Sequence, residues 1–149
     1  MLNIEYRHSA SKGNTFIDCP PFWIIHELYG YESEPNARMK MGLAAEDAAY
    51  HSLNEKLKDE SIIKLAKDKY ITEYKGSEDD PECEWSGMIA KNFVIELLQF
   101  GKIISYQNQK QVPGKEYGLK YDIVGKTDFE FEEWIVDTKA TAYIRRLKA

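Results

Sequence analysis

Residues 121–141 read YDIVGKTDFEFEEWIVDTKAT, and the alternation inside this stretch decides the fold. Successive side chains along a strand point to opposite faces. A strand over 121–131 therefore sets Ile123, Gly125, Thr127, Phe129 and Phe131 on one face, and Asp122, Val124, Lys126, Asp128 and Glu130 on the other. A following strand over 134–139 sets Asp137 beside Lys139 and puts Trp134, Val136 and Thr138 opposite them. If Glu132 and Glu133 form a two-residue turn, Phe131 pairs with Trp134 and Asp128 lies across from Asp137. Directly opposed residues have Cβ atoms about 5 Å apart, so two carboxylates there repel each other unless a cation joins them. A hard divalent ion with oxygen ligands is such a cation. Lys139, one pleat on from Asp137, is placed to hold a water or to stabilise developing negative charge. The plain alternative is a charged cluster on a solvated sheet face. The apolar run Trp134-Ile135-Val136 leading into Asp137 weighs against it.

Outward from this stretch, a strand over 102–112 precedes it, separated by a turn at Pro113 and Gly114. Upstream the apolar period lengthens from two to near four. Asp18, Cys19, Pro20 and Pro21 signal a helix start, the apolar run 22–29 follows, and Gly30 stops it. Ala45, Ala49, Leu53 and Leu57 stripe a helix over 39–57; Ile62, Leu65, Ala66 and Tyr70 stripe another over 61–70. Residues 76–84 read as an acidic loop with Cys83 exposed in it. Ser86 is placed to cap a last helix, which carries Ile89, Phe93, Leu97 and Phe100 and ends at Gly101. Helices followed by a strand meander give an α+β reading, a mixed sheet flanked by helices in an α/β/α layering, as one domain over 1–149.

The chain has 149 residues, 43% of them hydrophobic and 30% charged, with a net charge of -5. That composition excludes disorder for most of its length. No run approaches the roughly 18 apolar residues of a membrane span, and the first twelve residues carry no signal-peptide core. A cytoplasmic protein with no membrane partner is expected. Two cysteines, Cys19 and Cys83, are too few for a disulfide framework or a four-cysteine metal site; Cys19 is expected to be buried. His8, His26 and His51 lack zinc-site spacing. Gly30, Gly76 and Gly87 read as isolated turn residues, and no phosphate loop or Gly-x-Ser-x-Gly elbow occurs. The acidic balance argues against binding nucleic acid by bulk charge, but not by a local patch. Lys110, Lys115, Lys120 and Lys126 lie on or beside the strands, and Arg145, Arg146 and Lys148 follow them. Tyr106, Tyr117, Tyr121 and Tyr143 are candidates for stacking on bases or for the core.

Gly125-Lys126-Thr127-Asp128 followed by Val136-Asp137-Thr138-Lys139 and Thr141 resembles the PD-(D/E)XK nuclease superfamily, most closely its RecB-like exonuclease branch. Gly42-Leu43-Ala44-Ala45-Glu46 resembles the branch's Gly-x-x-x-His/Glu helix, and Asp18-Cys19-Pro20 its Cys-Pro leading helix. The resemblance implies a restriction-endonuclease-like core and hydrolysis of DNA phosphodiester bonds with Mg2+ or Mn2+, in recombination, repair or phage DNA metabolism. It implies Asp128, Asp137 and Glu46 as metal ligands, joined by the Thr138 carbonyl, with Lys139 orienting the attacking water. Asp47 and His51 compete with Glu46 for its place. The Gln-x-x-x-Tyr helix common after the Lys strand does not occur in the ten residues beyond Lys139. That departure reads as a minimal or truncated member, and it keeps open a catalytically inactive DNA-binding or scaffold module. Cys19 lacks the clustered partners of the iron–sulfur members, so no cluster is expected.

Overall fold

The computed structural model describes residues 15–32 and 34–138. In chain order its elements are α1 (Pro20–Tyr29), α2 (Ala37–Glu55), α3 (Asp59–Thr72), α4 (Pro81–Leu97), β1 (Ile103–Val112), β2 (Ile123–Phe131) and β3 (Ile135–Val136). The chain divides into two compact units. One takes in Pro35–Tyr106 and the described residues from Asp128 onward; the other takes in the described residues through Glu34 together with Gln107–Thr127.

In the larger unit α2, α3 and α4 pack pairwise. α2 begins where the Asn36 side chain accepts the Met39 amide at 3.0 Å, which satisfies one of the four unpaired donors of a helix start. Its inward face is built from small residues, Ala44, Ala45, Ala48, Ala49 and Ser52, all buried. A face without long side chains lets its neighbours come close. The core gathers Ala45, Ala48, Ala49, Ile62, Ala66, Ala90, Val94 and Leu97 with Ile103 of β1 and Phe129 and Phe131 of β2. A second cluster joins Met41, Ala44, Tyr70 and Cys83. Beside it the Tyr70 hydroxyl donates to Asp80 Oδ2 at 2.7 Å, and Asp80 also accepts the Ser77 amide at 3.0 Å. A Cβ on Gly76 would come within 2.1 Å of the Tyr70 ring, so this connection needs glycine there.

The strands run in the order β1-β2-β3 as an antiparallel meander. The α+β reading holds, but the described strands contain no parallel pair, so the expected mixed sheet is not found among them. Parallel neighbours need a crossover of a dozen or more residues; here residues 113–122 join β1 to β2 and a tight turn joins β2 to β3. In the smaller unit, Gly30 closes α1 in the left-handed region at φ 67°, and Phe16 meets Trp23 edge-on at 5.3 Å. The Thr127 hydroxyl donates to the Asn108 carbonyl at 3.2 Å.

Three local expectations are corrected. α4 starts at Pro81, so Ser86 is no cap: it is fully buried inside the helix, and its hydroxyl donates to the Cys83 carbonyl at 2.7 Å. The earlier start carries Cys83 onto the inward face with Gly87, Ala90 and Val94, where burial pushes its thiol pKa up; Cys19 is the exposed thiol. Gly87 is a helix-packing residue rather than a turn. Among the described residues no helix is long and apolar enough to cross a membrane.

Gly87 generates a stability prediction. A Cβ there would meet Ile63 Cγ2 at 2.8 Å and the Ile63 carbonyl oxygen at 3.1 Å. The side chain can turn away but the carbonyl cannot. Gly87→Ala gains about 1 kcal/mol of helix propensity and loses about 1–3 kcal/mol to overpacking. A lowered urea midpoint with unchanged slope is the expected outcome.

Candidate functional site

The hairpin of β2 and β3 pairs Phe129 with Val136 and Glu130 with Ile135, and the Phe131 amide donates to the Trp134 carbonyl at 2.8 Å. Glu132 and Glu133 are thus the two-residue connection. Continued by one residue, the register sets Asp128 opposite Asp137. The Phe129 and Val136 face turns toward the helices. Glu130, on the opposite side, accepts from the Ser105 hydroxyl at 2.6 Å.

β3 is short, and the chain beyond Val136 leaves the ladder. That departure lets Thr138, which is buried, tie two carboxylates together. Its amide donates to Asp128 Oδ2 at 2.9 Å. Its hydroxyl lies 3.0 Å from Glu46 Oε1 on α2 and 3.4 Å from Asp128 Oδ2. A hydroxyl has one proton, and the shorter approach takes it to Glu46. Glu46 and Asp128, chosen from sequence as ligands, therefore converge on one residue. Asp137 stands exposed at the strand end. Among the described residues no group of three His, Cys, Asp or Glu side chains is close enough to hold a metal ion. Lys139 and Thr141 lie outside the described residues, as do His8, Tyr143, Arg145, Arg146 and Lys148.

The competitors of Glu46 are sorted by helix geometry. Asp47, about 100° further round α2, is taken up by Lys69: Lys69 Nζ reaches Asp47 Oδ2 at 2.9 Å and Glu73 Oε1 at 2.9 Å. His51 Nε2 lies 3.4 Å from Asp47 Oδ1. Burial works against the Lys69 ammonium, but the hydrogen bonds from Glu73 and Asp47 outweigh it and hold the pKa above its ordinary value. Sequence reading missed Lys69. Its i,i+4 spacing to Glu73 is legible, whereas Asp47 is 22 residues away.

Tyr106 stacks on Tyr50 at 4.8 Å and packs on Phe129 at 5.2 Å. It belongs to the core rather than to a base-stacking surface. Burial, then the nearby charges of Glu46, Asp47 and Asp128, push its hydroxyl pKa well up. An oxygen-only pair of carboxylates with a hydroxyl between them is the donor chemistry of a hard divalent ion. Comparison of the chain with protein families, with curated proteins and with solved structures gave no match.

Two predictions follow from these contacts. Thr138→Val removes the hydroxyl link to Glu46 and is expected to lower stability by about 1–2 kcal/mol in urea titration, whereas Thr138→Ser restores it. Burial, Asp47 and Glu73 together push Tyr74 up to about 12. A tyrosine raised in the folded state contributes stability that is whole below its ordinary value near 10 and is lost as pH rises through about 12. Asp47→Asn removes one of these charges, so tyrosinate absorbance should then appear at lower pH.

Proposed function

We propose that the chain is a metal-dependent deoxyribonuclease built on a restriction-endonuclease-like core, an exonuclease of the RecB-like branch acting in recombination, repair or phage DNA metabolism. The observation that carries this reading is the link through Thr138, which draws Glu46 of α2 and Asp128 of β2 onto one residue at the end of the hairpin. Asp137 directly follows β3, one residue past the pairing of Phe129 with Val136. An acid on a helix, an acid on a strand, an acid just past its paired strand and a lysine two residues beyond the last is a spacing that serves phosphodiester hydrolysis.

Mg2+ or Mn2+, when bound, supplies Lewis-acid polarisation of the phosphate and lowers the pKa of the attacking water. Glu46, Asp128 and Asp137 are the carboxylates that would hold the ion, with the Thr138 carbonyl. Lys139 aligns the attacking water and offsets negative charge on the phosphate oxygens; its role rests on the Asp-x-Lys spacing. Asp47, engaged by Lys69, is assigned no ligand role.

Cleavage of end-labelled linear single- and double-stranded DNA in Mg2+, Mn2+ or EDTA tests the reading. Degradation should require the metal. Asp128→Ala and Lys139→Ala should each lower it by about a hundredfold or more, with far-UV circular dichroism unchanged. Intact DNA in every metal, with the wild-type protein folded, would leave a non-catalytic module of the same fold.

A further inference from the structure

We propose that the loop joining β1 to β2 is an arm that grips single-stranded DNA, with Tyr117 stacking on an unpaired base and Lys115 and Lys120 engaging the flanking phosphates. The choice of DNA as ligand rests on the nuclease reading; the arm itself is argued from its own residues.

Charge is the first of these arguments. Residues 107–127 hold four lysines, Lys110, Lys115, Lys120 and Lys126, against two acids, a net of +2, in a chain whose total is -5. All four lysines are exposed. Of the two acids, half-buried Asp122 is engaged within the loop: its Oδ1 accepts the Gly114 amide at 3.0 Å and its Oδ2 accepts Gln111 Nε2 at 2.6 Å. Glu116 is the other acid, and it is the strand lysines Lys110 and Lys126 flanking the loop that make the segment net positive.

Rigidity is the second. Gly114–Tyr117 forms a 3-10 turn, and Gly118 follows in the left-handed region at φ 71°. The Leu119 amide donates to the Gly114 carbonyl at 2.9 Å. A Cβ on Gly114 would lie 1.9 Å from the Tyr121 carbonyl oxygen, so the loop closes only with glycine there. Held on this turn, Tyr117 is 66% exposed. A large aromatic ring displayed on a closed turn costs little ordering on binding, which is the property a stacking platform needs. Lys120 Nζ lies 5.2 Å from the centre of the Tyr121 ring, a cation–π contact that keeps the ammonium at the loop. A duplex, its bases already stacked, makes no use of Tyr117, whereas an unpaired strand does.

The test is fluorescence anisotropy of labelled oligothymidylate and of a duplex of equal length, measured with the full chain in EDTA across a range of salt. Tyr117→Ala should weaken single-strand binding about tenfold or more, Tyr117→Phe should retain it, and duplex binding should be unmoved by either. Replacing Lys115 and Lys120 together by Ala should flatten the slope of log affinity against log salt by about 1.4. Failure of the wild-type protein to bind, or equal binding by Tyr117→Ala, overturns the arm. Duplex bound as tightly as the single strand overturns its strand preference. Because EDTA removes cleavage from the measurement, a chain that binds this way but never cuts DNA sinks the nuclease reading alone. One that cuts while its Tyr117 variant binds normally sinks the arm alone.

Discussion

The close packing of α2 against α3 and α4 is the constraint on which the larger unit depends. Ala45, Ala48 and Ala49 are fully buried in one cluster with Phe129. Each alanine adds little hydrophobic area, but together they leave room for the aromatic face of β2, as close packing of an interior requires. This packing also brings Glu46, a side chain at the border of the alanine face, within hydrogen-bond reach of Thr138.

Electrostatics then sorts the acids that this packing concentrates. Asp47 and Glu73 meet on Lys69, which is itself almost wholly buried. A buried ammonium with two carboxylate partners resolves a charge imbalance that neither helix could tolerate alone. Glu46 and Asp128 instead share donors from Thr138. Burial, with Glu46, Asp47 and Asp128 nearby, pushes the Tyr106 hydroxyl pKa well up.

Much of the fold was legible because it is local. The stop at Gly30, the helix over the Ala45-Ala49-Leu53 stripe and the two-residue connection at Glu132 and Glu133 follow from contacts between near neighbours, and all occur. Residues 81–86 were misread because proline tolerates the first helical turn as readily as it breaks a helix. The helix therefore begins at Pro81 and buries Cys83 and Ser86. The mixed sheet was misread because alternation shows which face a residue takes but not which strand lies beside it. Tyr106 reads equally as a surface ring or a core ring until Tyr50 and Phe129 are placed against it.

The sequence by itself pointed to the hairpin and to its register, which pairs Phe129 with Val136, because a two-residue turn leaves one register and the side-chain period of two does the rest. It also marked Glu46 as a candidate from its place on a small-residue helix. Only the tertiary structure decided that Glu46 rather than Asp47 reaches the hairpin, since the two differ by about 100° of helix rotation and nothing local chooses between them. The choice is made by Lys69 on one side and by Thr138 on the other, the latter 92 residues away. A contact at that separation depends on how three helices and a strand pack together, and that packing is a property of the folded core as a whole.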